Sequence, residues 1–404
     1  MDLWKEIKEK ADIVIYGAGI ITRALLKILP EDVKCRVRCI AVTTTNNNVK
    51  ELDGFPICNI ENVVNMYPDP YILISVRKQY WDDIIATLIS YDIKKYTCIG
   101  MQECIEQLEK RWKNEYPQLA EKFVDEQICD GLSEEEYVLF LSKQINDSVL
   151  NFEVNLVDHC NLNCHCCNHF SPIAEKYFLD CEEYERDISR IATLYKNRIG
   201  RMMLLGGEPL LHPHINNIMQ ITRKYLYKEE IVIVSNGLLL PKMSEDFWKQ
   251  CNLQQVGILL TKYPISFDYK NVEKIAEKYG VNISYTFESK ELKTTYHLPL
   301  KPEGGLNPYR NYMKCNHANN CVVLREGRLY TCPLAACVHH FNQYFNKSIP
   351  EKEVNSIDIH QELTQKDLEK FLNTPIPMCE YCDIYGYQYD LPWAISKRSI
   401  EEWT

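Results

Sequence analysis

The sequence is organised around Cys160-Asn-Leu-Asn-Cys164-His-Cys-Cys167, which Leu205-Gly-Gly-Glu-Pro209 follows about forty residues later. Three thiolates with the spacing CxxxCxxC can bind three irons of a cubane [4Fe–4S] cluster, and the fourth iron is then left without a protein ligand. An open iron can chelate a small molecule, as the open position of a catalytic zinc does. The alternating stretch Phe152-Glu-Val-Asn-Leu-Val157 predicts a strand just before the loop. The cysteines therefore lie at the C-terminal end of a strand, where α/β folds carry their chemistry.

The order of the motifs that follow argues against a zinc site, which the same cysteines could form in a chain with 18 cysteines. Residues Arg201–Leu205 predict a second strand that ends in GGEP. Residues Ile231-Val-Ile-Val-Ser235-Asn236-Gly237 predict a third strand and its tip. With these parts in this order, the chain resembles the radical SAM superfamily. In that superfamily CxxxCxxC binds the cluster, and S-adenosylmethionine chelates the open iron.

The resemblance implies a role for each motif residue. The cluster would be bound by the three cysteines of the loop, Cys160, Cys164 and Cys167. S-adenosylmethionine would be bound by GGEP and by the tip of the third strand, that is by Gly206, Gly207, Glu208, Pro209, Ser235 and Asn236. An electron donor such as flavodoxin or ferredoxin would reduce the cluster. The resulting 5′-deoxyadenosyl radical would remove a hydrogen atom from the substrate.

Composition bounds the function and the compartment. A chain of 404 residues suggests two to three domains, and a net charge of −10 argues against non-specific binding to nucleic acid or anionic lipid. The N-terminus lacks the pattern of a signal peptide, and no apolar run approaches the ~18 residues of a membrane span. Cysteines in such a chain indicate metal ligation rather than disulfides. We therefore expect a cytoplasmic enzyme with no membrane span and no nucleic-acid partner.

Residues 1–100 predict a Rossmann-like parallel sheet, because strands alternate with helices and Gly17-Ala-Gly19 follows the first strand. Two features oppose a dinucleotide site: Thr22 replaces the third glycine, and the second strand ends in Ala41-Val-Thr-Thr-Thr45 without an acidic residue. The domain resembles the small sugar-nucleotide-binding domains of glycan-pathway enzymes. That resemblance implies a nucleotide-sugar site at Gly17 and Gly19. The alternative is a docking domain whose glycines only form a turn.

The rest of the chain predicts three further regions. Residues 101–149 have helical periodicity and form a helical connector, and residues 150–310 contain at least five βα units. The superfamily usually has a partial (β/α)6 TIM barrel, which we expect there. Residues 311–404 would form a small α+β cluster-binding domain with a β-hairpin. The overall fold class is α/β.

The C-terminal region carries a second set of cysteines. Cys315, eleven residues, Gly327, four residues and Cys332 fit the first half of the SPASM pattern, and Cys379-Glu-Tyr-Cys382 supplies a later CxxC. Four thiolates can close a cubane cluster or a structural zinc site. The cysteine count resembles the shortened twitch domain, which implies that Cys315, Cys332, Cys379 and Cys382 bind a second, auxiliary [4Fe–4S] cluster.

The hairpin is expected to turn at Glu326-Gly327, with Arg325 opposite Arg328. The same pairing puts Cys321 opposite Cys332, so Cys321 is a reserve ligand of the auxiliary cluster.

The resemblance implies an oxidoreductase or epimerase that acts on a sugar, a nucleotide sugar or a related small alcohol. Electron loss to the auxiliary cluster would give dehydrogenation. A hydrogen atom donated by a cysteine, with Cys321 and Cys337 as candidates, would give epimerisation. The alternatives are a radical SAM peptide-modifying maturase and a nucleotide-sugar-binding protein with structural clusters. Peptide maturases usually carry a winged-helix-like leader-binding domain, which the N-terminal sequence does not resemble.

Overall fold

The computed structural model describes residues 4, 7, 12–44, 51–145, 149–195, 198–286 and 293–404. Thr45, the last residue of the stretch Ala41–Thr45 that was noted above for its lack of an acidic side chain, lies outside the described residues. The chain forms two compact units, Met1–Asn146 and Asp147–Thr404. Within the described ranges no helix is long and apolar enough to cross a membrane. All 18 cysteines are described, and none of them forms a disulfide bond.

The first unit is built on a six-stranded sheet flanked by helices. Its strands are β1 Ile13–Tyr16, β2 Val37–Val42, β3 Glu51–Leu52, β4 Phe55–Asn59, β5 Tyr71–Ile74 and β6 Tyr96–Cys98. Its helices are α1 Ile20–Ile28, α2 Glu31–Lys34, α3 Ile60–Met66, α4 Trp81–Ser90, α5 Met101–Glu115, α6 Pro117–Asp125 and α7 Glu134–Gln144. The strand order is β3-β4-β2-β1-β5-β6, and only β3 runs antiparallel to its neighbour. Because the first strand lies between β2 and β5, the order reverses there, where open α/β sheets bind ligands.

The turn after β1 has a structural explanation. Gly17 has φ +117°, and a Cβ atom on it would lie 2.6 Å from Val76 Cγ1. The Thr22 hydroxyl donates to Gly17 O at 2.7 Å and lies 2.7 Å from Ser75 Oγ. Thr22, at the position of a third glycine, thus joins the turn to the end of β5. Gly19 has open space around its missing Cβ.

The helices of the expected connector have an apolar centre of their own within the first unit. The ring of Trp112 in α5 meets Phe123 of α6 and Phe140 of α7 edge-on, with centroids 5.6 and 5.3 Å apart. Arg111 of α5 donates from Nη1 to Lys27 O in α1 at 2.8 Å. These contacts attach the three helices to the helix that follows the glycine turn.

The second unit contains an eight-stranded sheet and a two-stranded one. Its strands are β7 Val149–Val157, β8 Ile199–Gly206, β9 Glu230–Ser235, β10 Val256–Leu260, β11 Ile283–Tyr285, β12 Thr295–His297, β13 Cys321–Arg325, β14 Arg328–Tyr330, β15 Ser356–Asp358 and β16 Gln388–Leu391. Its helices are α8 Cys181–Tyr195, α9 Ile215–Tyr225, α10 Glu245–Leu253, α11 Tyr269–Tyr279, α12 Pro308–Lys314, α13 Pro333–Phe345, α14 Lys352–Asn355 and α15 Gln365–Leu372. Strands β12 and β16 form the small sheet. The large sheet has the order β11-β10-β9-β8-β7-β13-β14-β15.

Six strands of the large sheet, from β11 to β13, run parallel. Five come from successive βα units, as expected. The sixth is β13, which pairs with β7 on the side away from β8. A strand of the C-terminal hairpin therefore continues the parallel sheet. An α/β fold with parallel sheets is confirmed.

The hairpin of β13 and β14 has the predicted register, with Arg325 opposite Arg328 and Leu324 opposite Leu329. Its turn residues Glu326 and Gly327 have φ +50° and +67°. Positive φ at both central residues is the signature of the two-residue turn whose twist matches that of the strands. Gly327 N–H also donates to Asp187 Oδ2 at 2.7 Å, which anchors the turn to α8, the helix that follows β7.

The turn after β1 yields a prediction with a matched control. Gly17→Ala places a Cβ atom against Val76 in a backbone conformation that L-residues rarely adopt, so we expect β1 and β5 to lose about 1–3 kcal/mol of stability. Gly19→Ala meets no atom but replaces the N-cap of α1, so it should cost less than about 1 kcal/mol. Hydrogen exchange of the β1 and β5 amides in the full chain measures both. Equal protection in the two variants would contradict the steric explanation.

Candidate active site

The C-terminal ends of the parallel strands in the second unit surround a cavity of about 310 Å³. The sequence-predicted residues that line it are Cys160, Cys164, Cys167, Gly206, Gly207, Ser235, Asn236 and Cys321. The structure thus brings the cysteine loop, the GGEP segment and the tip of β9 to one place, although they come from three separate strand ends. Glu208 and Pro209 lie behind this lining and are buried.

The two glycines of GGEP are required because two backbones nearly touch. A Cβ atom on Gly206, which has φ +128°, would lie 2.2 Å from Val157 O, and one on Gly207 would lie 2.1 Å from His159 O. Gly207 N–H donates to Val157 O at 2.6 Å, and Glu208 N–H donates to His159 O at 3.2 Å. The start of the cysteine loop is therefore held directly against the end of β8.

Glu208 connects GGEP to the next strand tip. Its carboxyl group is 1% exposed and accepts hydrogen bonds from Ser235 Oγ at 2.8 Å, Asn236 N at 3.1 Å and Leu210 N at 3.2 Å. Burial raises the pKa of Glu208 to about 7, against the effect of these hydrogen bonds. The side chain therefore positions Ser235 and Asn236 at the cavity wall.

The sulfurs of the cysteine loop are close neighbours. Burial raises the pKa of the Cys160 thiol, and the nearby Cys167 and Cys164 raise it further. Leu162 N–H donates to Cys160 Sγ at 3.3 Å, and Trp393 Nε1 donates to Cys164 Sγ at 3.2 Å. Three converging thiols with N–H donors aimed at sulfur suit a cluster whose potential depends on such hydrogen bonds.

The C-terminal tail holds the cysteine loop from outside, a feature that the sequence did not reveal. His165 N–H donates to Ala394 O at 2.9 Å, and Ser396 N–H donates to Asn163 O at 2.8 Å. Trp403 Nε1 donates to the carbonyl oxygen of Cys167 at 3.0 Å. Strand-like pairing between segments some 230 residues apart leaves no local pattern in the sequence. The tryptophans of the tail were the one signal that could have indicated packing of the tail.

The second set of cysteines also converges. Burial raises the pKa of the Cys332 thiol, and the neighbouring Cys315 and Cys379 raise it further. Burial also raises the pKa of the Cys382 thiol, and the nearby Cys332, Cys379 and Cys315 raise it further. Ala318 N–H donates to Cys315 Sγ at 3.4 Å. These four thiols are thus near enough to affect one another, and we call them the second thiol cluster; their role as ligands stays a prediction.

The two cysteines considered as hydrogen-atom donors have different surroundings. Cys321 lines the cavity, and its thiol interacts with the Glu153 carboxyl. Cys337 is fully buried in α13, does not line the cavity, and has its sulfur 3.1 Å from Asn155 Nδ2. Of the two candidates, therefore, only Cys321 is in a position to contact a molecule in the cavity.

A buried ion pair lies behind the cysteine loop. Asp158 accepts from Arg325 through both carboxylate oxygens, at 2.7 and 2.8 Å, and the two side chains are 2% and 6% exposed. Burial alone would raise the pKa of Asp158, but Arg325 and His340 hold it well below its usual range. His339 also lies within reach of this group. Because Arg325 occupies both oxygens, the group is an ion-pair network rather than a cation site.

Comparison with known proteins agrees with this geometry. Residues 154–261 match the model of the radical SAM superfamily. The chain is 31% identical over 109 residues to GTP 3′,8-cyclase of Clostridium acetobutylicum, which covers 26% of this chain and 33% of that protein. It is 32% identical over 112 residues to a probable GTP 3′,8-cyclase of Pyrococcus abyssi, which covers 28% and 35%. The chain thus spans about a third of the length of these curated relatives.

Solved structures resemble the chain more distantly. The crystal structure of BtrN in complex with AdoMet and 2-DOIA has 16% identity and a TM-score of 0.37, and covers 58% of this chain and 93% of that one. The crystal structure of Streptococcus suis SuiB bound to the precursor peptide SuiA has 15% identity and a TM-score of 0.28, and covers 40% of each chain.

The ion pair behind the loop gives a stability prediction. Asp158→Asn removes the buried counter-charge of the Arg325 guanidinium and leaves it only the more exposed Glu326, 3.4 Å from Nε, so the second unit should lose about 3 kcal/mol of unfolding free energy. The control is Glu230→Gln, which breaks the exposed pair with Arg201 at 2.7 Å and should cost less than about 1 kcal/mol. Urea unfolding of both full-length variants measures the difference. Comparable losses would show that burial does not set the strength of the Asp158–Arg325 pair.

Proposed function

We propose that this chain, whose residues 154–261 match the radical SAM model, is a radical SAM enzyme that removes a hydrogen atom from a sugar, a nucleotide sugar or a related small alcohol and gives a dehydrogenated or epimerised product. The observation that carries the proposal is the cavity in which the cysteine loop, Gly206, Gly207 and Asn236 meet a wall of polar side chains. That wall includes Glu153, Asn168, Tyr296, His317 and Cys321. A cavity of about 310 Å³ is at the small end of the range for small-molecule sites.

The residues present fit the cofactors of a radical SAM enzyme. Cys160, Cys164 and Cys167 would hold a [4Fe–4S] cluster with one open iron, and the GGEP segment with Ser235 and Asn236 would hold S-adenosylmethionine. Together these cofactors supply a carbon-centred radical that takes a hydrogen atom from an unactivated carbon. The protein's part is to bind the substrate, hold its target carbon close and exclude water.

The second thiol cluster supports an auxiliary [4Fe–4S] site at Cys315, Cys332, Cys379 and Cys382. A structural zinc would use the same four ligands. We favour iron–sulfur because Cys321, which lines the cavity, also interacts with Cys332 and Cys315. A cluster held by these four thiols would then lie near the cavity wall, where it could accept an electron. The lack of disulfide bonds among the 18 described cysteines supports a reducing compartment, in which an electron donor such as flavodoxin or ferredoxin would reduce the cluster.

A nucleotide sugar as ligand of the first unit belongs to the same proposal. Its support is the position of Gly17 and Gly19 beside β1 and β5, where the strand order reverses. The close approach of Val76 and Ser75 already explains why residue 17 is a glycine. Gly19 has no such packing reason, so a variant at Gly19 is the better test of ligand binding. Calorimetry of wild type and Gly19→Ala with nucleotide sugars tests for the site without disturbing the turn.

The central prediction concerns the loop cysteines. The triple variant Cys160→Ala, Cys164→Ala and Cys167→Ala should form no 5′-deoxyadenosine, and its iron should fall from roughly eight to roughly four atoms per chain, since each cubane holds four. Anaerobic incubation of reconstituted protein with dithionite, S-adenosylmethionine and a panel of nucleotide sugars and peptides measures both. Cys251→Ala, a buried cysteine of α10 in neither cluster, is the control and should keep both. Continued cleavage of S-adenosylmethionine by the triple variant would refute the proposal.

A further inference from the structure

A charged side chain lies on the inner face of the first barrel strand. Glu153 of β7 stands between Phe152 and Val154, which belong to the apolar core on the opposite face of the strand. Glu153 is only 4% exposed and lines the cavity. Its Oε2 atom has no hydrogen-bond partner among the described residues. Burial of a carboxyl oxygen without a partner costs free energy, which indicates that a ligand completes this group.

The neighbours of Glu153 leave that oxygen free. The Cys321 thiol, on the adjacent strand β13, and His317 lie near the Glu153 carboxyl and lower its pKa, but neither donates a hydrogen bond to Oε2. The Tyr296 hydroxyl has other hydrogen-bond partners: it lies 3.3 Å from His317 Nε2 and accepts from Asn168 Nδ2 at 2.7 Å. These side chains form a connected polar wall of the cavity. Glu153 Oε2 is the acceptor that this wall leaves open.

We propose that Glu153 binds a hydroxyl group of the substrate through Oε2 and takes its proton after the adjacent C–H bond has been broken. This inference rests on the proposed function and assigns dehydrogenation to it. The C–H bond breaks and its hydrogen atom leaves with the 5′-deoxyadenosyl group, which becomes 5′-deoxyadenosine. The O–H bond then breaks, its proton moves to Glu153, and a C=O bond forms. The one remaining electron passes to an oxidised iron–sulfur site, proposed above at the second thiol cluster.

The environment of Glu153 suits a proton acceptor at neutral pH. Burial raises its pKa to about 7, although Cys321 and His317 partly oppose the rise. A base whose pKa lies near the working pH is the most effective in proton transfer. The substrate radical would meet this carboxyl inside the same cavity that holds the cysteine loop. In this arrangement Cys321 is a neighbour of the base rather than a donor of hydrogen atoms.

The experiment compares Glu153→Gln with Glu402→Gln in the reconstituted enzyme. Glu402 is the matched control, because it is equally buried and also has an unpartnered Oε2, yet it does not line the cavity. The probe is UDP-glucose deuterated on the glucose ring. We expect Glu153→Gln to move deuterium into 5′-deoxyadenosine as wild type does, but to form keto product at least about 10²-fold more slowly. Glu153→Asp should restore part of the rate.

Each other outcome has a defined meaning. Product formation by Glu153→Gln at the rate of wild type overturns the inference and leaves the proposed function intact. An epimerised product that is lost in Cys321→Ala and kept in Glu153→Gln overturns it as well. If wild type forms no 5′-deoxyadenosine, the proposed function fails. Infrared titration of the carboxyl groups then tests the inference about Glu153 separately. A carboxyl signal near pH 7 that is weaker in Glu153→Gln than in wild type and Glu402→Gln, the remainder belonging to Glu208, supports Glu153 as the free acid of the cavity, whereas no difference overturns it.

Discussion

The buried pair between Asp158 and Arg325 is the interaction on which the second unit depends. Asp158 directly follows β7 and precedes the cysteine loop, whereas Arg325 ends β13 at the hairpin turn. Two hydrogen bonds of 2.7 and 2.8 Å fix both the distance and the relative orientation of these segments. Desolvation of both charges offsets much of their attraction. We therefore interpret the pair mainly as a determinant of geometry, one that sets the register of the hairpin against β7.

That register creates the cavity wall. With β13 held beside β7, Cys321 comes to lie next to Glu153, and His317 and Tyr296 complete the polar surface. The same strand leads through the hairpin to Cys332, one member of the second thiol cluster. Strand pairing thus places the substrate wall between two groups of cysteines. Under the function proposed above, a substrate radical at this wall would lie close to both proposed iron–sulfur sites.

The tail supplies a second connection between the two cysteine groups. After Cys382 the chain forms β16, which pairs with β12, and then runs along the cysteine loop so that Trp393 reaches Cys164. Trp403 closes the contact at Cys167. N–H groups directed at a cluster sulfur stabilise the reduced, more negative state and so raise the reduction potential. The tail is therefore placed to affect both the rigidity and the redox behaviour of the loop.

The sequence by itself determined the parts that depend on short spacing. CxxxCxxC, GGEP and the Ser235-Asn236 tip were recognisable because each lies within a few residues at a strand end, and the hairpin register followed from a two-residue turn with Gly327. Glu153 also left a signal, a carboxylate on the inward side of an apolar strand, but its free oxygen depends on what Cys321 and Tyr296 do. The Asp158–Arg325 pair, the place of β13 beside β7 and the tail on the cysteine loop were decided only by the tertiary structure. They join residues more than 160 positions apart, and such contacts arise from packing and chain closure, which no local pattern of residue types encodes.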